Sequence, residues 1–351
     1  MINHLPNLTS LFIGSSVTDR SIRLAPTKIT ALLHAHPLLE ELIFVRAFID
    51  EEPDPSEITP HSLHKLKRLA FHRCESAAVR TIVSLIKHTH GLAILIDRIS
   101  GWPKYIPSVK INRLITKSVP EGRSGYTDAF VSAFKRRSTR IGLSGPGVAY
   151  SIALPAEHGT DTADGVLSAM ARSGHLARLE RLWLLGLGYT TQSWLRSASN
   201  LSLLTIQCTR AMWYNSVWIQ RLFQWLPSSL QELHILIHPS EDDANVTTNC
   251  ETLLTLNDKR TKSLRIRLKV YKDPSRRDQI ISIYEHCKNN EHVSVEPWSL
   301  AQMRRDLTEE HLRSQCDLLP QHHKYWPSWF EDTLGYCLVQ NGVDDNMWFP
   351  Y

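Results

Sequence analysis

The sequence predicts an α/β chain in which helix–strand units stack into a curved solenoid. Three observations predict it: a nine-residue leucine pattern recurs six times, apolar helical stripes precede several copies, and the copies are spaced like structural repeats. The windows LPNLTSLFI from Leu5, HPLLEELIF from His36, LHKLKRLAF from Leu63, LARLERLWL from Leu176, ASNLSLLTI from Ala198 and PSSLQELHI from Pro227 share leucine at their fourth and seventh positions. The seventh-position leucines are Leu11, Leu42, Leu69, Leu182, Leu204 and Leu233, with intervals of 31, 27, 22 and 29 residues inside the two groups. Such spacing suits a leucine-rich repeat, one strand plus one helix per unit.

Each window ends in a half-buried strand, because Leu182 and Leu184 alternate with Arg181, Trp183 and Leu185. Helical stripes lie at Ile29, Leu32, Leu33 and His36, at Val79, Ile82, Val83 and Ile86, and at Ile219, Leu222, Phe223 and Leu226. Weaker units follow. Cys250, Leu253 and Leu254 precede KSLRIRLKV, and Ile280, Ile283, Tyr284 and Cys287 precede a run from His292 to Val295. A unit of this kind cannot bury its apolar face alone, so units must stack into a horseshoe, with a parallel sheet on the concave side and helices behind it. The six seventh-position leucines are then expected at equivalent inward sites.

Four segments follow: repeats over 1–97, irregular repeats or an insertion over 98–162, repeats again over 163–297, and a different tail over 298–351. The second is rich in glycine and proline, yet Val109–Ile111, Ile141–Leu143 and Ile152–Leu154 read as strand cores. The tail pairs a polar helix near 300–318 with Tyr325, Trp326, Trp329, Phe330, Trp348 and Phe349, and is expected to cap the last repeats.

The windows and their irregular helix lengths resemble the leucine-rich-repeat region of fungal F-box proteins, over about residues 3–100 and 163–297. That resemblance implies a protein-interaction module and, more narrowly, substrate recruitment for ubiquitin ligation through a Skp-type adaptor. Leu154-Pro155-Ala156-Glu157 matches the opening of an F-box, but HGTDTADG follows where two apolar helices belong, so the adaptor-binding element is expected to be missing. The alternatives are a scaffold of the same fold unrelated to ubiquitin, and an enzyme using 98–162.

Composition narrows the classes further. With 42% hydrophobic and 21% charged residues the chain is neither disordered nor fibrous, and its apolar runs are too short to span a bilayer, so a cytoplasmic or nuclear protein is expected. The cysteines Cys74, Cys208, Cys250, Cys287, Cys316 and Cys337 are scattered, which predicts reduced structural thiols. A net charge of +5, widely dispersed, argues against nucleic acid as a partner, the densest cluster being Lys135, Arg136, Arg137 and Arg140. No cofactor or metal is expected. Gly142-Leu143-Ser144-Gly145-Pro146 fails the nucleophile-elbow spacing, no phosphate-wrapping loop occurs, and the 17 histidines form no ligand motif.

The partner is therefore expected to be another protein, meeting the concave face. Trp183, Thr205, His234 and Arg265 fall in the middle of L-x-L strands and are expected in one row, Trp183 as its anchor. Arg265, Arg267 and Lys269 alternate along one strand and present three cations to an acidic partner.

Overall fold

The computed structural model describes residues 5, 7–14, 22–49, 59–87, 91–97, 99, 125–132, 139–154, 159–185, 193–207, 216–237, 244–271 and 277–298. In chain order the strands are β1 (Ser10–Gly14), β2 (Ile22–Leu24), β3 (Glu41–Val45), β4 (Ala47–Ile49), β5 (His61–Ser62), β6 (Arg68–His72), β7 (Ile86–Lys87) and β8 (Ala93–Asp97). They continue as β9 (Asp128–Ser132), β10 (Thr139–Gly145), β11 (Val148–Leu154), β12 (Arg181–Leu185), β13 (Leu203–Gln207), β14 (Glu232–Ile237), β15 (Arg265–Tyr271) and β16 (Val293–Trp298). The helices are α1 (Pro26–Ala35), α2 (Ser76–Leu85), α3 (Gly159–Arg172), α4 (Ser216–Trp225), α5 (Ala244–Asp258) and α6 (Arg277–Cys287), with a 3-10 helix at Ser193–Ser197. The fold is mixed α/β. Among the described residues no helix is long and apolar enough to cross a membrane.

Twelve of the described strands form one sheet in the order β1-β3-β6-β8-β11-β10-β9-β12-β13-β14-β15-β16. Hydrogen-bonded register carries the expected leucines across it: Leu11 pairs with Leu42 and Leu42 with Leu69, while Leu182 pairs with Leu204 and Leu204 with Leu233. Ile94, Tyr150, Leu143 and Ala129 bridge the two groups, and Ile266 and Val293 extend the row to β16. Every member is buried and joins one cluster with the inward helix residues Leu33, Val79, Ile82, Ile219, Leu222, Leu253 and Ile283. A second row two residues on, which includes the stacked Phe44 and Phe71 rings, belongs to the same cluster. The period of two along each strand and the apolar helix stripes thus meet in one core.

Units repeat down to backbone detail. Arg46 and Arg73, each one residue past a strand, adopt φ of 54° and 52°, a region costly for side chains larger than glycine. Each amide is answered from the next unit, Arg46 by the His72 carbonyl and Arg73 by the Asp97 carbonyl, both at 2.8 Å. At the end of α3 the Gly174 amide bonds the Ala171 carbonyl and the His175 amide bonds the Met170 carbonyl, a Schellman stop that uses φ of 77° at Gly174.

The expected all-parallel sheet is corrected at one strand. β10 runs antiparallel to both β9 and β11, while the remaining neighbours in the large sheet are parallel. Local chemistry accounts for it: Pro146 and Gly147 make a two-residue hairpin between paired Gly145 and Val148, Gly147 taking φ of 67°. Gly145 is required too, since a Cβ there would lie 1.8 Å from the Gly125 carbonyl oxygen. Ile141–Leu143 and Ile152–Leu154 are strand residues of the sheet, as read from the sequence, but as parts of a meander rather than helix–strand units. α3 runs across the 162/163 boundary. Val109–Ile111 and the tail 299–351 lie outside the described residues.

Candidate interaction surface

The sheet face away from the helices is assembled from the x positions between inward residues. Its central row runs Trp183, Thr205, His234 and Arg267, each the register partner of the next. Three of the four residues expected there are brought together, and the fourth is corrected. Arg265 pairs with Glu232, one row away. KSLRIRLKV alternates over four apolar residues, so the sequence leaves its register open by two. Leu264 is fully buried just before the strand, where the Asn257 side chain accepts from its amide at 2.8 Å and donates to its carbonyl at 3.1 Å.

Exposure divides the face. Over β3, β6, β8 and β11, Ile43, Ala70, Ala93, Leu95 and Ala149 make a second buried apolar cluster to which, among the described residues, only strands contribute. Phe130 and Trp183 are buried register partners on β9 and β12, and Trp183 is 4% exposed, which corrects its expected role as an open anchor. Thr205 is 5% exposed. Beyond β13 the face opens: the side chain of Arg267 is 37% exposed and that of Glu296 is 42%.

Charge at this open end forms an alternating lattice rather than the basic strip expected. Glu232 forms an ion pair with Arg267 Nε at 2.6 Å and accepts from His234 Nε2 at 3.0 Å, and Arg267 Nη1 stands 3.7 Å from Glu296. Lys269 is the register partner of Glu296. Burial alone would raise the Glu232 carboxyl, but the His234 hydrogen bond and the positive charges of His234, Arg267 and Arg265 together hold it below its usual value. Burial pushes His234 down, with repulsion from Lys269 and Arg267 adding to it against the pull of Glu232. Glu232 and Glu296 were not singled out from sequence; Glu232 two residues before His234, on the same strand face, was the available signal.

Two further ion pairs occupy the edge of the face where the parallel strands begin. Asp128, fully buried, is gripped by Arg181 through Nε–Oδ1 at 2.5 Å and Nη2–Oδ2 at 3.1 Å, and accepts from Thr127 Oγ1 at 2.7 Å. Glu41 accepts from Arg68 Nε and Ser10 Oγ, both at 2.9 Å. Arg140 lies 3.7 Å from Asp97; Lys135, Arg136 and Arg137 are outside the described residues.

Among the described residues no three His, Cys, Asp or Glu side chains converge on a metal position. Ser144 of GLSGPG is a buried strand residue beside the hairpin turn, and Leu154 of the F-box-like tetrapeptide ends β11. No family model and no curated protein matches the chain.

Proposed function

We propose that the chain is a leucine-rich-repeat solenoid serving as a protein-interaction module, and that the open strands β14–β16 receive an acidic segment of a partner protein. The observation that carries this reading is the change along one sheet face from buried apolar residues on β3, β6, β8 and β11 to exposed charge at β14–β16. Arg265, Arg267 and Lys269 outnumber the carboxylates Glu232 and Glu296, and all five stand on strands held rigid by register. Fixed charges of this kind select partners and speed their encounter more than they add affinity. Substrate recruitment in the manner of F-box proteins is the narrower form of the proposal.

Affinity purification of the full chain, run beside an Arg265→Glu/Lys269→Glu variant, tests it. Both residues lie at the open end, so the variant is expected to fold and to lose the specific partner, while wild-type capture weakens with added salt. A partner retained equally by the variant refutes the assignment of the surface. Co-purification of a Skp-type adaptor and a cullin selects ligase recruitment; a partner without them selects a scaffold.

A further inference from the structure

The helix side of the sheet carries a cleft that the charged surface on the other face does not use. α4 and α5 pack side by side, with Ile219 and Leu222 of one and Cys250 and Leu253 of the other in the core. Between their flanks lies a cleft of about 660 Å³, within the range of sites that hold small ligands. Its lining is mostly polar. Gln220 and Gln224 face it from α4, and Thr248, Thr252 and Thr255 from α5, while Phe223 and Leu256 supply a small apolar part. Thr252 Oγ1 donates to the Thr248 carbonyl at 2.7 Å and keeps its lone pairs as acceptors.

Charge is separated along the cleft. Lys259 and Arg260 stand at one end, just past Asp258 where α5 stops, and Glu251 is the one carboxylate among the described lining residues. The helix rise sets Lys259 about 12 Å along the axis from Glu251, beyond the ~8 Å over which exposed charges act on each other in physiological salt. Glu251 therefore does not neutralise the basic end. Nor are the two side chains tied to the helix terminus, where the Lys259 and Arg260 amides already take the Thr255 and Asn257 carbonyls at 3.3 and 3.1 Å. Arg260 donates through Nη2 to the Pro227 carbonyl at 3.1 Å, but its Nε is buried without an acceptor. Burial lowers the Arg260 pKa with no carboxylate to offset it, as for a cation that lacks a counter-ion. Lys259 is exposed and has no ion pair among the described residues.

We propose that this cleft binds a short extended peptide of about four residues, its terminal carboxylate on Lys259 and Arg260 and its amino end towards Glu251. The length follows from the charges, because ~12 Å is spanned by three to four extended residues at ~3.3 Å each. The glutamines match the same ligand. Gln220 and Gln224 are separated by one helical turn, about 6 Å, and alternate units of an extended chain recur at about 6.6 Å. Each glutamine side chain donates and accepts, so it pairs with the N–H and C=O of one such unit, and the threonine hydroxyls face the units between. With little apolar lining, recognition rests on the main chain and the two ends rather than on the peptide's side chains.

Isothermal titration calorimetry of the native full chain tests this with four probes: tetra-alanine, its C-terminal amide, its N-acetyl form and sodium acetate. Tetra-alanine is expected to bind one to one, and its amide at least about tenfold more weakly, the usual loss for a hydrogen bond to a charged group. Acetylation should weaken binding less, since Glu251 is exposed and acts alone. Lys259→Glu, at a position with no ion pair to lose, should keep the melting temperature and reverse the preference in favour of the amide. Glu251→Gln should abolish the effect of acetylation. The Arg265→Glu/Lys269→Glu variant should bind tetra-alanine as the wild type does, so this cleft and the surface on the other face stand or fall separately. The proposal is overturned if tetra-alanine gives no binding, if acid and amide bind alike, if acetate alone binds as tightly, if Lys259→Glu leaves the preference unchanged, or if the Arg265→Glu/Lys269→Glu variant loses the peptide.

Discussion

Replacing Leu204 by alanine should destabilise the chain about twice as much as the same change at Leu11, although both belong to one leucine row. Leu204 is fully buried on β13, with Leu182 and Leu233 as hydrogen-bonded register partners on either side, themselves fully buried. The change removes three carbons, a transfer loss of ~2.4 kcal/mol at ~0.8 kcal/mol each. Strands paired on both sides cannot close the void, and a residual cavity of roughly 60–80 Å³ at ~24 cal/mol per Å³ adds ~1.5–2 kcal/mol. Leu11 is 9% exposed on β1, the outermost described strand, which pairs only with β3. Its void opens towards solvent and collapses, leaving a cost of ~2 kcal/mol. Urea unfolding followed by circular dichroism measures both, provided the slope with denaturant is unchanged. Equal costs at the two sites, or a Leu204 cost below ~1 kcal/mol, would show that the row is not a continuous core.

Other consequences are equally direct. His234 is held below its unfolded pKa, so the unfolded chain binds its proton first, and stability should fall as pH drops below the ordinary histidine value of 6.5. Glu232 is likewise depressed and adds a second loss below its ordinary 4.5; a melting temperature flat between pH 7 and 5, or unchanged in this range by His234→Gln, contradicts the first assignment. Arg181→Met leaves Asp128 buried without its guanidinium and should cost ~3–5 kcal/mol, while adding Asp128→Leu should recover most of the loss. Gly145→Ala drives a Cβ into the Gly125 backbone, and should lower the melting temperature by more than Gly142→Ala on the same strand.

The inward half of the fold was legible because it is written in leucine at fixed spacing. Leu8, Leu11 and Ile13 of the first window recur as Leu39, Leu42 and Phe44, and each later residue of that set is buried. Register between windows followed, since a slip of one residue would have turned every leucine outward. The strand reversal at β10 was written in the sequence as well, but in the dipeptide Pro146-Gly147, whose meaning depends on strands on both sides. Read as part of GLSGPG and of a glycine- and proline-rich stretch, the same residues raised a failed catalytic motif and a general loop signal, but not a hairpin. A hairpin signal next to two alternating runs should have outweighed it.

The outward half was less legible for a physical reason. An inward position accepts only apolar side chains, so identity reveals place; an outward position accepts anything, and its chemistry is set by what lies opposite on neighbouring strands. Arg267 looked like one of three equal cations along β15, yet cross-strand pairing gives it two carboxylates, from Glu232 behind it and Glu296 ahead. Trp183 looked like an exposed anchor, yet register sets it beside Phe130 on β9, and both are buried. In both cases the missing quantity was the neighbour in the sheet, about 5 Å away in space and tens of residues away in sequence. Arg265 shows the same dependence from the other side. A shift of two residues in an alternating strand keeps it on the same face but exchanges His234 for Glu232 as its partner, and with it repulsion for attraction. The face away from the helices therefore carries its specificity in pairings between units, so charge changes at β14–β16 should act in cross-strand couples and not residue by residue.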